Sequence, residues 1–188
     1  MKELIIQLKG KSPLLMHRYG GEKPAAVKVK TASKTEAWLE EMHKKDWLQS
    51  AYFDEKIGFY IPPQNCEAML IEGARASRQG KTFESSMSVV EFMIPLIVYA
   101  GPELTTIKHL NDNLESHYIP EHIDLRGVKL TGRVDRCRPI FRFWGLLFTV
   151  RYDNKRLTVK DFEAALDEGA LGDYRPRFGR FTYAVKQA

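Results

Sequence analysis

The feature that most restricts the fold of this chain is a strand–helix–strand pattern over residues 143–185. The apolar run at 143–152 has the length and composition of a strand. Thr158 and Asp161 have the spacing of a capping box, which predicts a helix at 159–168. After a glycine-rich loop at 169–177, residues 178–185 predict a closing strand. We therefore expect a domain of the α+β class.

The first half of the chain supplies further elements of such a domain. Ser33 and Glu36 have capping-box spacing before a short helix. Pro63 suits the first turn of a second helix. Gly73 lies inside that helix, where glycine costs about 1 kcal/mol relative to alanine, so it indicates close packing on a sheet. The predicted strands are 4–8, 57–61 and 92–99, and the predicted helices are 34–46 and 63–78.

Two regions interrupt this pattern and are interpreted as insertions. Residues 17–32 are mostly polar with little apolar surface to bury, so we expect a loop that orders on a partner. Residues 103–125 are polar with weak periodicity, and two extended arms follow, joined around Thr131 and Gly132. At 188 residues, the chain fits one domain, 1–188, with insertions at about 17–56 and 103–142.

Composition indicates a reducing, non-membrane environment. Cys66 and Cys137 lack the spacing of a redox or zinc motif, so they are interpreted as reduced thiols. No signal-peptide core and no run of about 18 apolar residues is present. These observations favour a soluble, cytoplasmic protein with no membrane partner.

Basic charge is concentrated near the end of the chain. Residues 1–125 carry 15 lysines and arginines against 17 acids, whereas residues 126–188 carry 14 against 7. Ten of the thirteen arginines lie in that last third. Guanidinium groups match phosphate oxygens geometrically, so this segregation points to a polyanionic partner.

The loop between the last helix and the last strand is the strongest candidate site. Glycines allow backbone N–H groups to approach phosphate, arginines neutralise its charge, and aromatic rings offer faces for bases. The alternative is a structural turn whose arginines pair with acids such as Asp173 and Asp135. The candidate residues here are Gly172, Tyr174, Arg175, Arg177, Phe178, Gly179 and Arg180.

A second cluster lies in the extended arms. Arg136, Arg138 and Arg142 share strand parity, so their side chains are predicted to line one face. The alternative is that they decorate an exposed arm without direct contact. Four further basic residues complete the predicted nucleic-acid interface: His17, Arg18, Arg75 and Arg78.

Catalytic motifs are not recognised in the sequence. The glycine-rich loop lacks the Gly-Lys-Ser/Thr of a nucleotide-hydrolysing loop and follows a helix instead of preceding one. The five histidines do not have metal-ligand spacing. We therefore expect no catalytic residue, no metal and no cofactor, and the protein is predicted not to be an enzyme.

Two segments together resemble the RAMP superfamily, the RNA-recognition-motif-like proteins that form CRISPR effector backbones. Residues Tyr60–Arg75 resemble its I-P-G-S-S-L-K-G-x-x-R segment, and Gly172–Phe181 resemble its glycine-rich loop and final strand. The resemblance implies a ferredoxin-like βαββαβ core whose antiparallel sheet carries two helices on one face. It also implies a thumb-like arm at 107–142, a protruding element at 17–56, and subunits stacked head to tail along one strand.

The leading hypothesis is a non-catalytic subunit that coats guide RNA without reading its sequence. A first alternative is a single-stranded DNA-binding protein of a phage or mobile element. A second is a guide-processing endoribonuclease in which His17 acts as general acid or base. A third is an assembly subunit without nucleic acid. RNA is favoured over DNA, and a homo-oligomer, with or without other effector subunits, is the expected assembly.

Overall fold

The computed structural model describes residues 1–18, 35–99, 107–109, 113–129 and 133–187. Within these ranges the chain forms four α-helices and twelve short or long strands. The helices are α1 (Glu36–Ser50), α2 (Pro63–Ala74), α3 (Gly80–Ser86) and α4 (Val159–Glu168). The strands are β1 (Lys2–Gly10), β2 (Leu14–Leu15), β3 (Phe53–Asp54), β4 (Gly58–Ile61), β5 (Met87–Val89), β6 (Ile94–Pro95), β7 (Ile97–Tyr99), β8 (Ile107–His109), β9 (Ile123–Lys129), β10 (Arg133–Phe141), β11 (Trp144–Tyr152) and β12 (Phe181–Gln187).

The central sheet is antiparallel and confirms the predicted α+β class. Strand β1 lies between β12 and β11, and β11 pairs on its other side with β5 and β7. This order, with helices α1 to α3 between β1 and β5 and helix α4 between β11 and β12, is compatible with a ferredoxin-like arrangement. The termini of the described chain therefore lie next to each other, because β1 and β12 are neighbours.

One face of the central sheet is covered by helices. Alternate residues of β1, Leu4, Ile6 and Leu8, are fully buried, as the two-residue period of a strand requires. They share a core with Phe148 of β11 and Phe162 of α4. The rings of Phe162 and Phe83 lie 4.9 Å apart, which ties α3 to α4.

Gly73 lies where α2 crosses α4. A Cβ atom at this position would overlap the backbone oxygen of Ala165. The prediction of close packing at Gly73 is therefore confirmed, but the prediction of a sheet as its neighbour is wrong. The close neighbour is the backbone of another helix.

Several predicted helix boundaries are wrong, for local reasons. Helix α1 is capped by Thr35, whose hydroxyl accepts from the backbone N–H of Trp38, and Ser33 lies outside the described residues. Helix α2 ends at Ala74, and Arg78 has a φ of 62°, which helix does not allow. Helix α3 was missed, because its polar sequence has one deeply buried apolar side chain, Phe83.

The predicted strand at 92–99 is divided into β6 and β7, and its first residue, Phe92, is 93% exposed. At the other end of the chain, the final strand begins at Phe181, because residues 178–180 still belong to the loop. The predicted helix at 159–168 is confirmed. Its Asp161 carboxylate accepts from both the backbone N–H and the hydroxyl of Thr158, at 2.7 Å each.

The two predicted extended arms are confirmed as the antiparallel hairpin strands β9 and β10, in which Arg136 lies opposite Arg126. The predicted joint around Thr131 and Gly132 lies outside the described residues. Strand β2 pairs with the edge of β10 that is opposite β9, so the three strands form a small sheet. Helix α1 packs on β10, and its Asp46 accepts from the backbone N–H of Cys137. Most of the loop predicted at 17–32 lies outside the described residues, as do residues 100–106 and 110–112.

Both cysteines are buried, and burial raises the pKa of each thiol, for Cys137 to about 11. No helix in the described part of the chain has the length and hydropathy needed to cross a bilayer.

The helix crossing gives a direct test of the packing. Gly73→Ala is expected to destabilise the fold by about 1–3 kcal/mol, since the added methyl group forces α2 and α4 apart. Urea unfolding followed by circular dichroism measures the change. Gln64→Ala, at an exposed position of the same helix, serves as the control and is expected to be neutral or slightly stabilising. Equal stability of both variants would contradict the close crossing.

Candidate nucleic-acid interface

The glycine-rich loop, residues 169–180, is bonded along its length to the segment that joins β1 to β2. The backbone N–H of Gly179 donates to the carbonyl of Pro13, and that of Asp173 donates to the carbonyl of Leu15, both at 2.9 Å. At the end of the loop, the carbonyl of Arg180 accepts from two backbone N–H groups of that segment. The loop is thus a fixed part of the fold.

Two glycines make this close association possible. Gly172 and Gly179 have φ angles of 83° and 72°, a region that side chains rarely adopt. A Cβ at Gly172 would lie 2.6 Å from the carbonyl oxygen of Leu15, and one at Gly179 would overlap the carbonyl oxygen of Leu171. Their role is to let protein backbones approach each other.

The prediction that loop amides are open to phosphate is therefore wrong for most of the loop. Eight of its backbone N–H groups already donate to acceptors within the protein: those of Gly169, Leu171, Asp173, Tyr174, Arg177, Phe178, Gly179 and Arg180. An anion would meet the side chains of this loop rather than a cradle of backbone amides.

Asp173 joins the loop to Arg138 of β10 and to His17, which follows β2. Its Oδ2 atom lies 2.7 Å from Nη1 of Arg138 and 3.2 Å from Nδ1 of His17. The hydrogen bond from His17, together with those from the Tyr174 backbone and the charge of Arg138, holds the pKa of Asp173 below its ordinary value. Arg138 is only 3% exposed, so it supports the loop and does not present its guanidinium to a partner.

A guanidinium that the sequence analysis missed packs against the loop aromatics. Arg126 of β9 lies 5.5 Å from the ring centre of Tyr174 and 4.8 Å from that of Phe178, within cation–π range. Its hydrogen bond with Asp124 raises the pKa of Arg126. Phe178 is only 8% exposed, so its predicted role as a stacking face is not supported, whereas Tyr174 is 38% exposed.

Two more predicted arginines are paired with carboxylates. Arg136 lies 3.3 Å from Asp46, and Arg175 lies 2.6 Å from Glu72. The Arg175 pair is solvent-exposed, where such pairs contribute little and exchange readily. For the loop arginines, the alternative of internal acid pairing thus applies in part to Arg175. Arg136 and Arg138 are also paired with acids, so neither simply decorates an exposed arm.

Two of the remaining exposed arginines, Arg142 and Arg180, lie beside one bend of the chain, and Arg177 belongs to the same loop as Arg180. Arg180 is bonded through its backbone to Lys11 and Ser12, and Arg142 follows Phe141, which pairs with Leu14. In the part of the chain that the structure describes, no carboxylate lies within ion-pair distance of these arginines. We call the exposed set the basic rim; its members are Lys11, Arg142, Arg177 and Arg180.

Arg18, Arg75 and Arg78 also lie outside this rim. Arg75 and Arg78 follow the C-terminus of α2. Arg18 is exposed and donates its backbone N–H to Ser50 at the end of α1. The structure therefore places Arg142 near the arginines of the glycine-rich loop, but it does not bring together all the basic residues chosen from the sequence.

A cleft of about 250 Å³ opens beside the glycine-rich loop. Its lining combines buried aliphatic side chains such as Leu14, Ile61 and Leu171 with the polar residues His17 and Asn65. The described residues contain no group of three or more potential metal ligands. The cleft is suited to an apolar or planar group rather than to a metal ion.

Comparison with known protein families finds none that matches this chain, and comparison with curated proteins finds none of significant similarity.

The Asp173 cluster gives a pH-dependent test. Asp173→Asn is expected to lower the free energy of unfolding at pH 7 by about 1–3 kcal/mol, because buried Arg138 loses its charged partner. Because the pKa of Asp173 is lower in the folded protein than its ordinary value, the charged carboxylate stabilises the fold at any pH above that ordinary pKa. This contribution disappears as the pH falls through the lowered pKa. The difference between variant and parent should therefore shrink towards pH 3.

Urea unfolding at several pH values measures this difference. Asp135→Asn, an exposed position on β10, is the matched control and should change little at any pH. A penalty at Asp173 that stays constant down to pH 3 would show that its charge is not responsible.

Proposed function

We propose that this protein is a non-catalytic subunit that binds a single strand of nucleic acid, RNA in preference to DNA, mainly through its phosphates. The basic rim is the single observation that carries the proposal. Arg142 is distant in sequence from the loop that carries Arg177 and Arg180, yet Arg142 and Arg180 lie beside one bend, and none of the three arginines has a carboxylate partner among the described residues. Unpaired arginines gathered in this way favour a polyanion.

The side chains of the central sheet favour nucleic-acid binding beside the sheet rather than on its open face. The face turned away from the helices carries residues such as Gln7, Leu147 and Ala184, which lie in register with one another. Proteins that read RNA on such a face use aromatic side chains that stack on bases. No aromatic residue of β1 or β11 faces that side. We therefore propose that the nucleic acid runs along the basic rim instead of across the sheet.

The exposed ring of Tyr174 gives this path one stacking surface next to the charges. Arg126 and Arg138 lie within 5.5 Å of its centre and fix its position. A base stacked on a tyrosine is held without regard to its identity, because every base has a π-face. The combination suits binding that is independent of sequence.

The RAMP resemblance extends this proposal to a guide-RNA complex. The order of the central strands is compatible with the ferredoxin-like core of that superfamily. Identical subunits that associate head to tail through different surfaces form open filaments when the rotation does not close. We propose such stacking along the bound strand.

The contribution of the basic rim to nucleic-acid binding can be tested by measuring affinity at defined salt concentrations. The triple variant Arg142→Ala, Arg177→Ala, Arg180→Ala is expected to bind single-stranded RNA at least about tenfold more weakly, with a log–log salt slope smaller by about 2. Fluorescence anisotropy with a labelled homopolymer at several salt concentrations measures both quantities. The physical reason is the loss of counterion release at three phosphate contacts.

The matched control removes three exposed cations elsewhere: Lys155→Ala, Arg156→Ala and Lys160→Ala. It changes net charge equally and should leave affinity nearly unchanged. Equal weakening in both triple variants would reduce the effect to net charge.

Unlabelled RNA and DNA of the same length, used as competitors, test the ribose preference. Stronger competition by DNA would favour a single-stranded DNA-binding protein.

A guide-processing endoribonuclease is a second candidate, favoured by the pairing of His17 with Asp173. A carboxylate bonded to one ring nitrogen orients an imidazole for acid–base chemistry at the other. We expect a hairpin RNA to remain intact when incubated with the protein in EDTA. Cleavage that disappears in His17→Ala, but not in His43→Ala, would instead establish the nuclease.

A further inference from the structure

We infer that two copies of this protein associate through strand β12, which pairs antiparallel with the same strand of the second copy about a two-fold axis at Ala184. Strand β12 ends the central sheet, with β1 on one side and no strand on the other among the described residues. The inference concerns the protein without nucleic acid, so it does not depend on the proposed function.

The backbone groups on the outer edge of β12 follow from the residue that precedes the strand. The carbonyl of Arg180 accepts from the backbone N–H of Lys11, so Arg180 is directed towards the β1 side. Successive residues of a strand direct their N–H and C=O groups to opposite sides. The residues that point away from β1 are therefore Phe181, Tyr183, Val185 and Gln187.

Strand β11 gives the same assignment independently. The carbonyl of Thr149 accepts from the backbone N–H of Val90, on the side away from β1. Ile5 lies opposite Thr149, so Ile5 directs its backbone groups to its other partner, Lys186. The next residue back, Val185, must then point outward. No turn, cap or loop of the described chain is hydrogen-bonded to the backbone of 181–187.

Strand β12 has few of the features that keep a sheet edge from pairing. Such features include proline, β-bulges, several charged side chains and a covering loop or helix. The strand has seven residues, no proline and one charged side chain, Lys186. It stays in register with β1 over its whole length, without a bulge. An edge of this kind is a template for another strand.

The sequence of β12 is complementary to itself. With the axis at Ala184, all seven residues of the strand are paired, and Tyr183 of each copy lies opposite Val185 of the other. An aromatic residue opposite a β-branched one is a favourable cross-strand pair. Both side chains are only partly buried against the core of their own subunit, so the second copy would cover them further.

Charge favours the same register. Lys186 lies opposite Thr182 of the second copy, so like charges do not face each other. An axis at Tyr183 would place Lys186 opposite Arg180, and like charges directly opposite destabilise a strand pair. An axis at Val185 would leave Phe181 and Thr182 beyond the end of the partner strand. A second copy in the Ala184 register therefore fits this edge.

Introduced cysteines test the register directly. Ala184→Cys places two thiols opposite each other on the axis, in a pair whose Cα atoms are about 4.5 Å apart, within the range of a disulfide. Thr182→Cys is the matched control, since Thr182 is exposed on the same face but lies opposite Lys186. Both native cysteines are buried, so they contribute little background.

The sample is treated with nuclease, oxidised mildly and separated by non-reducing electrophoresis. Ala184→Cys should run mostly as a disulfide-linked dimer, and Thr182→Cys as a monomer. Equal cross-linking of the two variants would overturn the register. Absence of cross-linking in Ala184→Cys would overturn the interface itself.

Val185→Pro tests the pairing without a cysteine. Proline removes an outward N–H and leaves the bonds to β1 intact, as proline on an edge strand does. Two hydrogen bonds are lost per dimer, so the dissociation constant of the dimer should rise at least about tenfold in sedimentation equilibrium. Val185→Thr keeps both the N–H and the β-branched shape and should behave like the parent.

An unchanged dimer in Val185→Pro would contradict the inference. So would a parent that is monomeric at every protein concentration after nuclease treatment. Neither result bears on the affinity of the basic rim for a labelled oligonucleotide, so this inference and the proposed function fail separately.

Discussion

The candidate interface depends on the hydrogen bonds between residues 12–15 and the glycine-rich loop. These bonds fix the loop against the end of β1 and place Asp173 over Arg138. The indole N–H of Trp144 donates to the carbonyl of Ser12 at 2.8 Å, which joins the same bend to β11. Three distant parts of the chain therefore meet at one point, and this point includes Lys11 of the basic rim and Leu14 and Leu15 of the cleft lining.

Arginines in this protein divide into two groups with different physical roles. Arg136 and Arg138 are paired with Asp46 and Asp173 and are shielded from solvent to different degrees. A charge held in this way contributes to the position of a loop or strand, because its attraction is satisfied internally. Arg142 and Arg180 are exposed at the surface, so their charge is available to a partner. Net charge alone does not distinguish these groups.

Much of the secondary structure could be predicted, since it follows from local chemistry. The capping residues Thr158 and Asp161 and the apolar run of β11 are sufficient to place α4 and the strand before it. The errors arose where tertiary contacts outweigh local pattern. Helix α3 exists because Phe83 is buried against Phe162, and residues 178–180 remain in the loop because Gly179 is bonded to Pro13.

The sequence by itself determined the α+β class, the hairpin arms and the concentration of arginine in the last third of the chain, because hydrophobic period and composition are local properties. Only the tertiary structure decided which of those arginines face solvent. It also decided that Gly172 and Gly179 serve the close approach of backbones, and that Arg126 lies on Tyr174. Such assignments depend on which distant residues become neighbours, and a carboxylate partner or a ring face is available only after the chain has folded.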